Sequence, residues 1–277
     1  MMHVCERGCE VVCCPGILFV NDIEMKYARF GSGKKALVIL PGLSIKSVAD
    51  SAADVEKAYR RFEEEYTVYL FDRRANAENG YTLKCMADDT AAVMRRLGIE
   101  KADVFGASQG GMIAMYLAAY HPELVDRMVL GSTTARISDG FRRVYQTWIE
   151  LAKARDKEAL ASAFADSVYS EKMLQLYRDI LIRDLSDCTD QDLEHFVVLA
   201  KALDTLSIHD DLNRIQCQTL VLGSEGDRVV GADAQRDIAA QLGCALHMYE
   251  PVYGHAVYDE APDYLDRMAA FLADNDK

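Results

Sequence analysis

The sequence predicts an α/β protein: a mostly parallel, doubly wound sheet with a helical cap inserted after the sixth strand. Three observations carry that prediction. From Ala36 onward, short apolar runs alternate with helix-like segments, the rhythm of a parallel sheet covered on both faces. The rhythm breaks after Thr134, and only helical patterns follow as far as about His209. Before the break, residues 102–120 read A-D-V-F-G-A-S-Q-G-G-M-I-A-M-Y-L-A-A-Y, in which an apolar run meets Gly106-Ala107-Ser108-Gln109-Gly110 and passes directly into a helical segment.

The elements follow in order. Val11 to Cys14 and Ile17 to Val20 have strand composition and are split by Pro15-Gly16; Asn21-Asp22 is a turn signal, and I-E-M-K-Y-A-R-F (Ile23 to Phe30) alternates as a half-buried strand does. These predict antiparallel strands at a sheet edge. A-L-V-I-L (Ala36 to Leu40) and T-V-Y-L-F (Thr67 to Phe71) are continuous apolar runs, as expected of strands buried on both faces. Asp54 to Glu65 is predicted helical, as is Thr82 to Leu97, with Thr82 as N-cap and Gly98 at its end. Strands at Ala102 to Phe105 and Met128 to Leu130 bracket a helix ending near His121-Pro122. The insertion reads as four helices: Phe141 to Ala154, Lys157 to Val168, Glu171 to Asp184 and Asp190 to Ala202. Strand rhythm resumes at Thr219 to Leu222, then a helix at Ala232 to Leu242, a strand at Ala245 to Tyr249 and a last helix at Asp263 to Ala273. The expected division is a core of residues 1–135 and 211–277 with a cap of 136–210.

Composition narrows the classes of function. The chain has 277 residues, half of them hydrophobic, and a formal net charge of -13. That balance disfavours nucleic acid and anionic membranes, both of which call for clustered Lys and Arg. No apolar run approaches the ~20 residues needed to span a bilayer, and the first residues carry charge without an apolar h-region, so a cytoplasmic protein is expected. Of eight Cys, Cys5, Cys9, Cys13 and Cys14 crowd the start, and Cys85, Cys188, Cys217 and Cys244 are scattered. The C-x3-C-x3-C-C spacing is not that of a zinc site, so free thiols, no metal and no cofactor are expected.

The Gly-x-Ser-x-Gly stretch has a mechanical reading. A chain leaving a strand and entering a helix within a few residues must turn sharply, with small neighbours around a strained apex. The apex hydroxyl of Ser108 then projects from the sheet, beside the backbone N–H of Gln109 at a helix N-terminus, where a negative oxygen is stabilised. Serine is a poor nucleophile until a base takes its proton, and that base needs a carboxylate to orient it.

With Gly106-Ala107-Ser108-Gln109-Gly110, then Asp227 after a strand, then Gly254-His255 after the last strand, the chain resembles the α/β-hydrolase fold family from Ile23 to Leu272. The resemblance implies a catalytic triad of Ser108, Asp227 and His255, in the family's order of nucleophile, acid and base. It also implies an oxyanion hole made by the backbone N–H groups of Leu43 and Gln109. His121, His195, His209 and His247 compete with His255, and Glu225 and Asp233 with Asp227; family spacing favours Asp227. The chain departs from the family at Pro41-Gly42, where relatives usually carry His-Gly, and at Arg74-Ala75-Asn76-Ala77-Glu78-Asn79-Gly80, where they often carry a Gly-rich segment.

The expected function is a serine hydrolase acting on a small carboxylic ester, thioester or lactone. The alternatives are a triad-retaining sensor with slow turnover and a carbon–carbon bond hydrolase or lyase on the same scaffold. Tyr145, Trp148, Phe164, Tyr169, Met173, Tyr177 and Phe196 of the insertion are expected to form the cap's own core, with some facing the site. No Arg or Lys stands out as an anion clamp. The partner is a small-molecule substrate; homo-oligomerisation stays open.

Overall fold

The computed structural model describes residues 14–273. Among these, eight strands form one sheet: β1 (Cys14–Val20), β2 (Ile23–Phe30), β3 (Lys35–Leu40), β4 (Tyr66–Arg74), β5 (Ala102–Ala107), β6 (Val125–Gly131), β7 (Gln218–Ser224) and β8 (Ala245–Tyr249). Their order is β1-β2-β4-β3-β5-β6-β7-β8. The pairs β1–β2 and β2–β4 are antiparallel and the others parallel. The helices are α1 (Ala52–Tyr59), α2 (Leu83–Arg96), α3 (Gln109–Tyr120), α4 (Asp139–Lys153), α5 (Lys157–Val168), α6 (Glu171–Ser186), α7 (Asp190–Lys201), α8 (Ala232–Leu242), α9 (Val257–Glu260) and α10 (Tyr264–Ala273).

Alternation along β3 explains its unbroken apolar sequence. Leu37 and Ile39 pack on one face with Val68, Leu70, Phe105, Tyr264 and Met268. Val38 and Leu40 pack on the other with Phe71, Val104, Met112, Met115 and Ile238. Helices α1 and α10 cover the first face and α2, α3 and α8 the second. Each fully buried Leu or Ile contributes about 2 kcal/mol, so both faces must be apolar for the sheet to form. Thr82 caps α2 by accepting from the backbone N–H of Cys85 at 3.0 Å.

Two local expectations change. Pro15-Gly16 does not split the first strand; β1 runs through it, with Pro15 opposite Ala28. The strand lies at the sheet edge, where a missing N–H need not interrupt a ladder. The helix expected over Asp54 to Glu65 ends at Tyr59 and tightens into a 3-10 turn at Arg60–Phe62, with Phe62 buried. Cys5, Cys9 and Cys13 lie outside the described residues; Cys85, Cys188, Cys217 and Cys244 are free thiols.

Four helices, α4 to α7, intervene between β6 and β7. Tyr145, Trp148, Phe164 and Phe196 are buried among them, and the Trp148 and Phe164 rings lie 4.7 Å apart. Tyr169 and Met173 are half-buried, whereas Tyr177 is exposed with Leu176 and Ile180 on α6. No helix among the described residues is long and apolar enough to cross a membrane.

Candidate active site

Ser108 joins β5 to α3 with φ 51° and ψ -117°, a left-handed conformation that costs a non-glycine residue about 1–3 kcal/mol. The surroundings hold it there. Its N–H donates to Gly131 O at 2.8 Å, and its carbonyl accepts from Thr133 Oγ1 at 2.7 Å. Flanking glycines are required by contact: a Cβ on Gly110 would lie 1.9 Å from Leu40 O, and one on Gly106 would lie 2.5 Å from Gly110 O. The turn therefore closes only with hydrogen at both positions.

The loop after β3 runs beside this serine. A Cβ on Gly42 would stand 3.3 Å from Ser108 Cβ and 3.9 Å from its Oγ, and Leu43 follows, largely buried. Gln109 is the first residue of α3, at the positive end of the helix. Its side-chain amide donates to Leu199 O at 2.9 Å, which ties the turn to α7. The His-Gly that relatives usually carry is replaced by Pro41-Gly42, and here the guanidinium Nη2 of Arg73 donates to Pro41 O. Arg73, which nothing in the sequence marks out, therefore braces the loop.

His255 and Asp227 meet beneath the surface. The His255 Nδ1 lies 2.9 Å from both carboxylate oxygens, and the two side chains are 3% and 0% exposed. A carboxylate only accepts, so Nδ1 carries the proton and Nε2 is the basic nitrogen. Asp227 Oδ1 also accepts from the N–H groups of Val229 at 2.9 Å and Val230 at 3.0 Å. Burial opposes the charge on Asp227, but His255 and these backbone donors outweigh it, and the carboxyl is held below its ordinary value. Asp227 is thus an anion at neutral pH, with both carboxylate oxygens hydrogen-bonded.

A further donor comes from Gln235, fully buried in the first turn of α8. Its Nε2 donates to Asp227 Oδ2 at 2.8 Å, while its Oε1 accepts from Ser224 N at 3.2 Å. The amide orientation is set from both ends. Sequence reasoning misses Gln235 because a polar residue on a surface helix is ordinarily solvated.

The competing residues are occupied elsewhere. Glu225 pairs with Arg236, and Asp233 is exposed and pairs with the same guanidinium. His121 bonds Asp88 at 2.8 Å, His209 lies against Asp210 and Asp237, and His247 packs edge-on to Tyr249. His195 donates Nε2–H to Arg74 O at 2.8 Å.

Two depressions differ in position. One of about 450 Å³ lies at the amino ends of the strands, lined by Lys35, Thr67, Ala102 and Asp126, away from Ser108. The other, about 220 Å³, lies at the carboxyl rim between the β3 loop and α7, with Gly42, Asp72, Arg73, His195 and Leu199 in its wall.

Comparison with known proteins agrees with this architecture. A family model described as alpha/beta hydrolase fold matches residues 35–262. The 3-oxoadipate enol-lactonase 2 of Acinetobacter baylyi is 22% identical over 79% of this chain and 82% of its own. The serine hydrolase BPHL of Mus musculus is 24% identical over 76% of this chain and 69% of its own. The solved structure of MGS-M2, an alpha/beta hydrolase enzyme from a Medee basin deep-sea metagenome library, superposes with TM-score 0.83 at 23% identity, covering 95% of this chain and 98% of that one.

Proposed function

Because this chain belongs to the alpha/beta hydrolase fold family, we propose that it is a serine hydrolase of a small carboxylic ester or lactone, with Ser108 as nucleophile, His255 as base and Asp227 as orienting acid. The buried His255–Asp227 pair, 2.9 Å at both oxygens, carries this reading. It leaves Nε2 as the basic nitrogen of His255, which follows the carboxyl end of β8 as Ser108 follows that of β5.

In the proposed reaction, His255 Nε2 takes the Ser108 hydroxyl proton as Oγ attacks the ester carbonyl. The backbone N–H groups of Leu43 and Gln109 bind the oxyanion, a contribution of about 3–4 kcal/mol per donor in comparable sites. Collapse breaks the ester C–O bond, and the His255 proton passes to the leaving alkoxide. Water, deprotonated by His255 Nε2, then attacks the acyl-Ser108 ester; the acyl C–Oγ bond breaks, His255 returns that proton to Ser108 Oγ, and the acid is released. A lactone follows the same steps, its leaving hydroxyl staying tethered to the acyl group. The enol-lactonase name of the Acinetobacter relative supports a carboxylic ester bond as the target. Residues 136–210 act in this reading as a lid over the rim.

The test combines a fluorophosphonate probe with turnover of a 4-nitrophenyl ester series. One equivalent of label on the Ser108 peptide and turnover abolished in Ser108→Ala is the expected result. Labelling elsewhere, or an Ala variant keeping turnover within about tenfold, overturns it.

A further inference from the structure

The cavity beside the β3 loop contains a charge without sufficient partners. Arg73 is 5% exposed and lines a space of about 220 Å³. A guanidinium has five N–H donors and stays ionised. Among the described residues, its hydrogen-bonded contact is Nη2 to Pro41 O, and its Nε is buried with no partner. The neighbouring carboxylate does not fill the gap. Asp72 Oδ1 accepts the backbone N–H of Arg73, and Oδ2 accepts from Ser47 Oγ. Burial of the guanidinium accordingly pushes its pKa below the usual value, only partly offset by Asp72. Burying an ion in this state is costly, and buried charges are ordinarily paired.

The other charged groups in the wall are already engaged. Lys26 pairs with Asp50 and Lys46 with Asp184, both exposed acids. Asp192 is held by the N–H and hydroxyl of Thr189 at the start of α7. Both lysines are also open to solvent, so among the described residues Arg73 is the buried cation of this wall whose donors lack partners. Gly42 is the link to the proposed nucleophile: it lies in the cavity wall, which Ser108 itself does not line, and a Cβ on it would be 3.9 Å from Ser108 Oγ.

We propose that this cavity is a substrate pocket for a carboxylate, which Arg73 binds through its unpaired N–H groups while the ester bond of the same molecule reaches Ser108. The substrate class is then an ester or lactone bearing a free acid. This deepens the hydrolase reading and rests on it for the placement of the ester. Seating the carboxylate completes the hydrogen bonding of Arg73, so its bracing of Pro41 and its recognition of substrate become one arrangement.

Paired esters test the idea. The mono-4-nitrophenyl esters of succinate, glutarate and adipate are compared with the corresponding methyl 4-nitrophenyl diesters, equal in reach and lacking the charge. Wild type is expected to favour the acid by about thirtyfold in kcat/KM, chiefly through KM, the scale of a hydrogen bond to a charged group. Arg73→Met removes that preference and Arg73→Lys keeps part of it. A role confined to bracing the loop lowers both members of a pair alike and leaves the ratio unchanged, which overturns the proposal. Binding of free glutarate and adipate to Ser108→Ala by calorimetry reads the pocket without turnover. Binding is expected to weaken in Arg73→Met and to vanish for the dimethyl esters. Absence of dicarboxylate binding sinks the pocket even if neutral esters are hydrolysed; binding without turnover of any ester sinks the hydrolase reading and leaves the pocket standing.

Discussion

The N–H of Ala256 donates to the carbonyl of Val168 at 3.0 Å, so the residue after His255 is bonded to the last residue of a cap helix. Neighbouring contacts reinforce the joint. Glu260 accepts from Ser170 N at 2.8 Å and from Gly254 N at 3.2 Å, and Arg228, next to Asp227, donates to Tyr169 O at 2.7 Å. The loops bearing the proposed acid and base are therefore both anchored on the α5–α6 connection.

Gly254→Ala should expose this dependence. A Cβ there would lie 2.7 Å from Ser170 N and 2.8 Å from Val168 O, both backbone atoms that cannot swing away. The expected cost is about 1–3 kcal/mol of stability. A fall in kcat of the order of tenfold to a hundredfold is also expected, as the proposed base, His255, shifts by a fraction of an ångström. Urea denaturation and ester kinetics on the purified variant measure the two separately.

Ser108→Ala should fold as wild type does, because the methyl group occupies less space in the same turn. With Ser108 as the proposed nucleophile, turnover of the 4-nitrophenyl esters should fall by about four to six orders of magnitude. Circular dichroism with single-turnover kinetics checks both halves of the expectation.

The acid is tested by a pair of variants. Asp227→Asn places an amide where His255 Nδ1, Gln235 Nε2 and two backbone N–H groups all donate, so one donor meets another and the His tautomer is disturbed. The loss in kcat is expected near ten-thousandfold, the scale of the corresponding change in a serine protease. Glu225→Gln removes an ion pair at the surface and should alter kcat by less than about threefold, as surface changes do. If Glu225→Gln is the inactive variant, the acid is misassigned.

Gln235→Leu keeps the side chain's bulk but removes the donor to Asp227 Oδ2 and the acceptor for Ser224 N. Ser224 N is then buried without its acceptor, at a cost of about 1–3 kcal/mol, and Asp227 Oδ2 keeps only its bond from His255. Turnover should fall with KM little changed, since the proposed acid loses its positioning while the proposed substrate pocket is untouched. Gln235→Glu should be worse in turnover because it sets a second carboxylate beside Asp227. Both are read by thermal melts and steady-state kinetics.

The depressed carboxyl of Asp227 predicts a direction for acid stability. Its folded pKa lies below the unfolded value of about 3.9, so its stabilising contribution is complete above that value. It is lost as pH falls through the lower, folded value. Urea midpoints should therefore drop more steeply below about pH 4 for wild type than for Asp227→Asn, whose residue at that position does not titrate. Parallel curves for the two proteins contradict the assignment of that lowered value.

The alternation of strand and helix, the four-helix interruption and the turn at Ser108 are legible along the chain. Each of these depends on neighbours within a few residues. Buried parallel strands need unbroken apolar runs, helices carry their own caps, and Gly-x-Ser-x-Gly states the steric demand of its turn directly. Family spacing also favoured Asp227 as the acid, and a place in the loop after the last strand, beside Gly254, favoured His255 as the base. Packing between distant segments sets the rest. It brought together Asp227 and His255, 28 residues apart in the chain, and turned Glu225 toward Arg236. It buried Gln235 under the acid and enclosed Arg73 against Pro41, 32 residues away. A polar side chain on a helix or after a strand looks solvated in one dimension; only packing removes its water and commits its donors to particular acceptors.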